Sequence, residues 1–206
     1  NIFEGKIFDR KFEAKIAKKL NSLNFKLLNS GINVDIDLAH QKNNVIKGLL
    51  KSKILNSNLK FNFEYDGKVL NIYNSFFRSK YLSLKNRSKI TLEPFLDLNS
   101  NFIIENLDNK IFDKFIIDKF LMFKEPLKQI NSTNEIRFSS KKLSQNFIDK
   151  FYLKFSLAYG RLNFSKNFSI SENFFQCTGY TNLLEDYPLL IFECSIFSEN
   201  KKKFFK

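Results

Sequence analysis

The sequence predicts a mainly β protein, a twisted antiparallel sheet curled around an apolar interior, and three observations predict it. From Gly31 to the C-terminus apolar and polar residues alternate with period two, which gives an extended strand one apolar and one solvated face. The chain carries 26 Phe in 206 residues and is 43% hydrophobic, enough to bury a core. The connecting stretches are rich in Asn, Ser and Lys, as a meander of short strands requires.

Taken in order, the first segment is ambiguous. Phe8, Phe12, Ile16, Leu20, Leu23 and Leu27 fall at three- and four-residue steps and the run closes near Gly31, which suits a short amphipathic helix with a glycine stop as well as it suits strands. Ile32, Val34, Ile36 and Leu38 then alternate with Asn33, Asp35 and Asp37 as a half-buried strand. Leu59, Phe61, Phe63 and Tyr65 alternate with Lys60, Asn62 and Glu64, and Asp66-Gly67 supplies hairpin chemistry before Val69 to Tyr73. Shorter alternations follow at Tyr81 to Leu84, at Ile90 and Leu92, and at Phe102 and Ile104. Ile111 to Met122 fits a helical stripe and a strand equally, and Pro126 ends either. Phe151, Leu153, Phe155, Leu157 and Tyr159 resume the alternation, Gly160 breaks it, Leu162, Phe164, Phe168 and Ile170 continue it, and a last strand covers Leu189 to Phe197. No linker composition or long like-charge run divides residues 1–206, which are expected to form one continuous body and, lacking an initiating Met, to be a segment of a longer chain.

Counting excludes several kinds of chemistry. The six glycines are too far apart for a phosphate-cradling loop, and a single histidine forbids multi-histidine metal sites. His40 follows Leu38-Ala39 in a loop composition, and a solvated histidine outweighs a general base there. Cys177 and Cys194 fall on neighbouring strands; small apolar packing residues are the simpler reading, and a disulfide would need both on one face with Cα atoms within about 7 Å. The longest apolar run, Tyr187 to Phe192, is far short of a helical membrane span. No catalytic residue and no cofactor are expected.

The net charge of +13 invites a nucleic-acid reading, and a basic RNA-binding protein of ribosomal type from an AT-rich genome is the alternative function. Against it, the charge comes mostly from lysines dispersed as the polar partners of alternating strands, with only Arg10, Arg78, Arg87, Arg137 and Arg161 offering the fork that phosphates and bases prefer. No specific nucleic-acid partner is therefore expected. The phenylalanines weigh more. A sheet with Phe61, Phe63, Phe155 and Phe164 on one face presents a broad apolar surface that something must cover: a partner sheet in a closed structural domain, or acyl chains held in an open trough.

The cadence of Leu59 to Ile72, of Tyr81-Leu-Ser-Leu and Lys89-Ile-Thr-Leu-Glu, of Tyr159 to Phe164, and of Gly179-Tyr180-Thr181 through Tyr187 to Phe192 resembles that of the TamB and AsmA-like bacterial envelope proteins. The resemblance covers roughly residues 31–198 and is one of rhythm, with no catalytic motif to carry over. It implies an open groove of U-shaped section, β-taco-like, in a periplasmic part of an inner-membrane-anchored envelope protein. It implies lipid transport between the inner and outer membranes, with phospholipid acyl chains as the cargo and an outer-membrane assembly protein as a partner through other parts of the full-length chain. The alternation itself supplies the groove-lining candidates: Ile32, Val34, Ile36, Leu38, Leu59, Phe61, Phe63, Leu82, Leu84, Ile90, Leu92 and Leu153, with Phe155 and Leu157 also inside and Lys60, Asn62 and Lys154 outside.

Overall fold

An alternating strand has one face to bury, and this chain arranges all such faces in a single layer. The computed structural model describes residues 1–7, 10–19, 21–39, 45–108, 110, 128, 130–139, 148–170 and 173–198. Among these residues fourteen strands form one sheet in which spatial order follows sequence order. They are β1 (Ile2–Ile7), β2 (Arg10–Ile16), β3 (Ser22–Leu27), β4 (Ile32–Leu38), β5 (Ile46–Ile54), β6 (Ser57–Tyr65), β7 (Val69–Arg78), β8 (Leu82–Thr91), β9 (Asp97–Leu107), β10 (Asn131–Ser139), β11 (Lys150–Ala158), β12 (Arg161–Ile170), β13 (Asn173–Asn182) and β14 (Leu190–Phe197). No helix occurs among the described residues, and the sheet does not close on itself.

Every pairing is antiparallel except that of β9 with β10, which run parallel with Asp97 opposite Asn131 and Ile104 opposite Phe138. Parallel neighbours need a long crossover, and the chain between Leu107 and Asn131 is long enough to make one. The predicted hairpin at Asp66-Gly67 forms between β6 and β7. Asp66 Oδ1 accepts the backbone N–H groups of Lys68 (2.9 Å) and Val69 (2.7 Å), and Gly67 takes the positive φ of +98° that the turn demands.

The alternative of a helix near the N-terminus is corrected by β1, β2 and β3, which occupy that segment. Phe12 and Ile16, and again Leu23 and Leu27, are four residues apart, and four residues are also two strand periods. Ala14 and Phe25 occupy the positions between them and pair across β2 and β3. Gly31, at φ +69°, is a turn residue between β3 and β4 together with Asn29, at φ +54°, not a helix stop. His40, the Ile111 to Met122 stretch and Pro126 lie outside the described residues.

The registers keep one phase throughout, so the apolar positions of all strands share a face. Ser52, Ser75, Ser88, Ser100, Ser132, Asn134, Phe138, Leu157, Cys177 and Thr181 are buried on that face, whereas Ser83 is the buried strand residue of the opposite one. With no second layer among the described residues, these mostly small residues are covered by the larger apolar side chains of neighbouring strands, and the apolar face is the inner face of the open, curled sheet. The trough is open. The chain exposes 15378 Å², against about 10,000 Å² for a compact monomer of its mass, and among the described residues no large side chain is fully buried.

Three inner-face glycines each lie opposite a phenylalanine: Gly5 opposite Phe12, Gly48 opposite Phe63 and Gly179 opposite Phe164. The ring lies over the glycine, so closely that a Cβ on Gly48 would sit 2.5 Å from Phe63 Cζ and 2.9 Å from the Asp37 carbonyl oxygen. A Cβ on Gly179 would meet Phe164 Cζ at 2.5 Å and the Ile191 carbonyl oxygen at 2.6 Å, whereas at Gly5 it would meet only the tip of the Phe12 ring. Replacing a strand glycine by alanine ordinarily stabilises by about 0.5–1 kcal/mol. Here Gly48→Ala and Gly179→Ala are expected to destabilise by about 1–3 kcal/mol through overpacking, with Gly5→Ala near neutral, as read by thermal unfolding. Stabilisation by all three substitutions would contradict the flat-ring arrangement.

Candidate functional site

The inner face is organised in rows running across the strands, along the length of the trough. One row takes a residue from every strand. Starting at β1 it passes through Phe3, Ala14, Phe25, Val34, Ser52, Leu59 and Phe77, each directly opposite the next. It continues through Leu84, Ile104, Phe138, Phe151, Phe168, Phe175 and Ile196 on β14. At about 4.8 Å per strand it runs roughly 60 Å when followed along the sheet, and it contains no charged residue. Within it the rings of Phe168 and Phe175 stack at 4.6 Å between centroids with planes 3° apart.

The expected lining residues fall largely as the alternation places them. Ile32, Val34, Ile36 and Leu38 on β4, Leu59, Phe61 and Phe63 on β6, Leu82, Leu84 and Ile90 on β8, and Leu153 and Phe155 on β11 all lie on the inner face, half-buried. Leu157 joins them and is buried. Leu92 lies just beyond β8, where its N–H donates to the Lys68 carbonyl and its side chain is 43% exposed, so it forms part of the rim at most. Lys60, Asn62 and Lys154 point to the outer face, opposite Lys51, Tyr73 and Glu135 respectively.

Two inner-face features are not among those candidates. The first is a polar seam across β7 to β10. Ser75 Oγ donates to the Asn86 carbonyl and accepts the Asn86 N–H, both at 2.7 Å, and so fills the irregularity in the β7–β8 register. Ser88 Oγ donates to Asn86 Oδ1 at 2.7 Å and lies 2.7 Å from Ser100 Oγ, and Asn134 Nδ2 donates to Ser132 Oγ at 3.0 Å. These groups satisfy one another, so the seam is a tolerated polar interruption beside the unbroken apolar row. The second feature is Lys166, which replaces an apolar residue in the run Leu162, Phe164, Phe168, Ile170. Its ammonium sits 4.5 Å from the Phe168 ring centroid and 5.6 Å from that of Phe151. Burial pulls its pKa below the ordinary lysine value.

The outer face carries the lysines that dominate the net charge, and carboxylates are interleaved with them. Lys47 pairs with Glu64 at 2.7 Å, Arg137 with Glu135 at 2.7 Å, and Lys85 with Glu105. The hydrogen bond from Lys47 holds the Glu64 carboxyl below the usual carboxylate range. A hollow of about 570 Å³ on this side is lined by such groups, among them Tyr73, Arg87, Lys89, Asn101 and Glu135. Exposed pairs of this kind add little stability, and their arrangement is that of a solvated surface.

Cys177 and Cys194 are directly opposite each other on the inner face of β13 and β14, with Cα atoms 4.1 Å apart and sulfurs bonded. The preferred expectation of simple packing gives way to a disulfide because the register of this hairpin puts both thiols on one face. The chain matches no protein-family model, no curated protein and no solved structure.

β14 is exposed along its whole length and, among the described residues, is paired on one side only, so the disulfide is its principal tether beyond the ladder. Closing a loop of this size contributes about 3 kcal/mol in the chain-entropy account. Reduction is expected to raise hydrogen exchange first at the amides of 190–197, leaving β5 to β12 protected. Loss of protection throughout the sheet on reduction would contradict this local role.

Proposed function

We propose that this chain is a segment of a periplasm-spanning conduit of TamB-like type, shielding phospholipid acyl chains in its Phe-, Leu- and Ile-lined trough between the inner and outer membranes. The observation that carries the reading is the apolar row through all fourteen strands on a sheet that does not close. Its rings and branched side chains are half-buried across most of its length, the condition of a surface prepared for apolar contact. The Cys177–Cys194 bond supports an oxidising compartment such as the periplasm.

The mechanism is passive, with no bond made or broken. A sixteen-carbon tail out of the bilayer loses on the order of 12 kcal/mol of hydrophobic stabilisation, at about 0.8 kcal/mol per CH₂. A trough with equivalent apolar contacts at each strand replaces much of this at every point, so sliding exchanges one set of contacts for another without a deep minimum. Direction is imposed by whatever stands at the two ends.

Substitution of the inner face tests the reading. Phe61→Asp and Phe155→Asp place a carboxylate on the lining, where the open side keeps it partly hydrated. Each variant is expected to remain folded, with a stability loss within about 2 kcal/mol, and to bind a fluorescent phospholipid roughly tenfold more weakly. Lys60→Asp on the outer face should leave binding unchanged. Unfolding of both Phe variants would point to a covered core, where an unpaired charge costs about 3–5 kcal/mol, and unchanged lipid binding would remove the inner face from the pathway.

A further inference from the structure

The apolar rows contain one charge away from a strand end. Among the described strand residues Lys166 is alone in this respect, because Arg10, at the first residue of β2, donates from Nη1 to the Asn29 carbonyl at 2.7 Å. Lys166 lies between Leu153 on β11 and Cys177 on β13, and no carboxylate pairs with it among the described residues. Its two aromatic neighbours compensate only part of the lost hydration of an ammonium, which leaves an anion-shaped deficit in the floor of the trough.

The surroundings define what fits. From Lys166 the same row runs through Leu153, Ile136 and Phe102 before reaching the polar Asn86. Those three strand steps span roughly 15 Å, about the depth of one leaflet's hydrocarbon. On the other side the row passes at once into the disulfide and the sheet edge. We propose, building on the conduit reading, that Lys166 holds the anionic head, carboxylate or phosphate, of an amphiphile whose tail lies over Leu153, Ile136 and Phe102. The trough thereby has a station for anionic lipids near its β14 end, whereas neutral chains meet only the apolar row.

Fluorescence titration with cis-parinaric acid and with its uncharged methyl ester tests this on the wild-type chain, Lys166→Met and Lys166→Arg, each checked by circular dichroism. The wild type is expected to bind the acid about tenfold more tightly than the ester, the worth of one charge-assisted contact. Lys166→Met, close in shape to lysine and apolar, should bring the acid to the level of the ester and leave the ester unchanged, and Lys166→Arg should keep the preference. Displacement of the probe by lysophosphatidic acid or by laurate, each compared with a monoacylglycerol, then assigns the head as phosphate or carboxylate, and a clear advantage of either supports the station. Equal acid affinity in the wild type and Lys166→Met, with the ester still bound, overturns the station and spares the conduit. Failure of the wild type to take up either probe overturns both.

Discussion

Backbone hydrogen bonding in the plane of the sheet holds this structure together, because the described residues supply no second layer to do so. Among the described residues each strand packs chiefly on its sheet neighbours, and stability is transmitted from ladder to ladder through thirteen successive pairings. A slip of one residue in any pairing would turn every side chain of the following strand to the wrong face. The register irregularities between β6, β7, β8 and β9 are accommodated without loss of phase, so Phe77, Leu84 and Ile104 still share a row with Phe3 at one end and Ile196 at the other.

That phase is what converts a local pattern into a surface. A sandwich would bury its apolar face against another sheet and gain about 25 cal/mol for each Å² removed from water. Among the described residues no second sheet realises that gain. The rings laid flat over Gly5, Gly48 and Gly179 lower the relief of the floor, and the polar seam of β7 to β10 is satisfied within itself instead of reaching into the trough. Charged groups otherwise occupy the outer face, where water and neighbouring carboxylates take care of them, apart from Arg10 at the start of β2, and the polar inner residues outside the seam are small, as Ser52 and Thr181 are. Lys166 is the exception that the rest of the pattern makes conspicuous.

Strands whose inner positions are all or nearly all large and apolar, such as β4, β6 and β11, are legible in the sequence because period two stands out. β5 and β10 are not, since Gly48 and Ser52 in one, and Ser132 and Asn134 in the other, occupy inner positions and erase the contrast. The N-terminal strands are obscured for a different reason, four-residue steps being shared by helix and strand. The parallel step from β9 to β10 and the pairing of the cysteines depend on register and crossover, which alternation within single strands does not specify. Lys166 was visible as a break in the run from Leu162 to Ile170, but a lysine in an alternating strand reads as an outer residue until its phase is counted.

The central claim is that the inner face is open and meets acyl chains. Native mass spectrometry of the protein purified without delipidation tests it most directly. The account predicts additional species heavier than the bare chain by one or more phospholipid masses, lost when the protein is denatured. A single species at the mass of the polypeptide, from cells rich in phospholipid and with the fold intact, would contradict it.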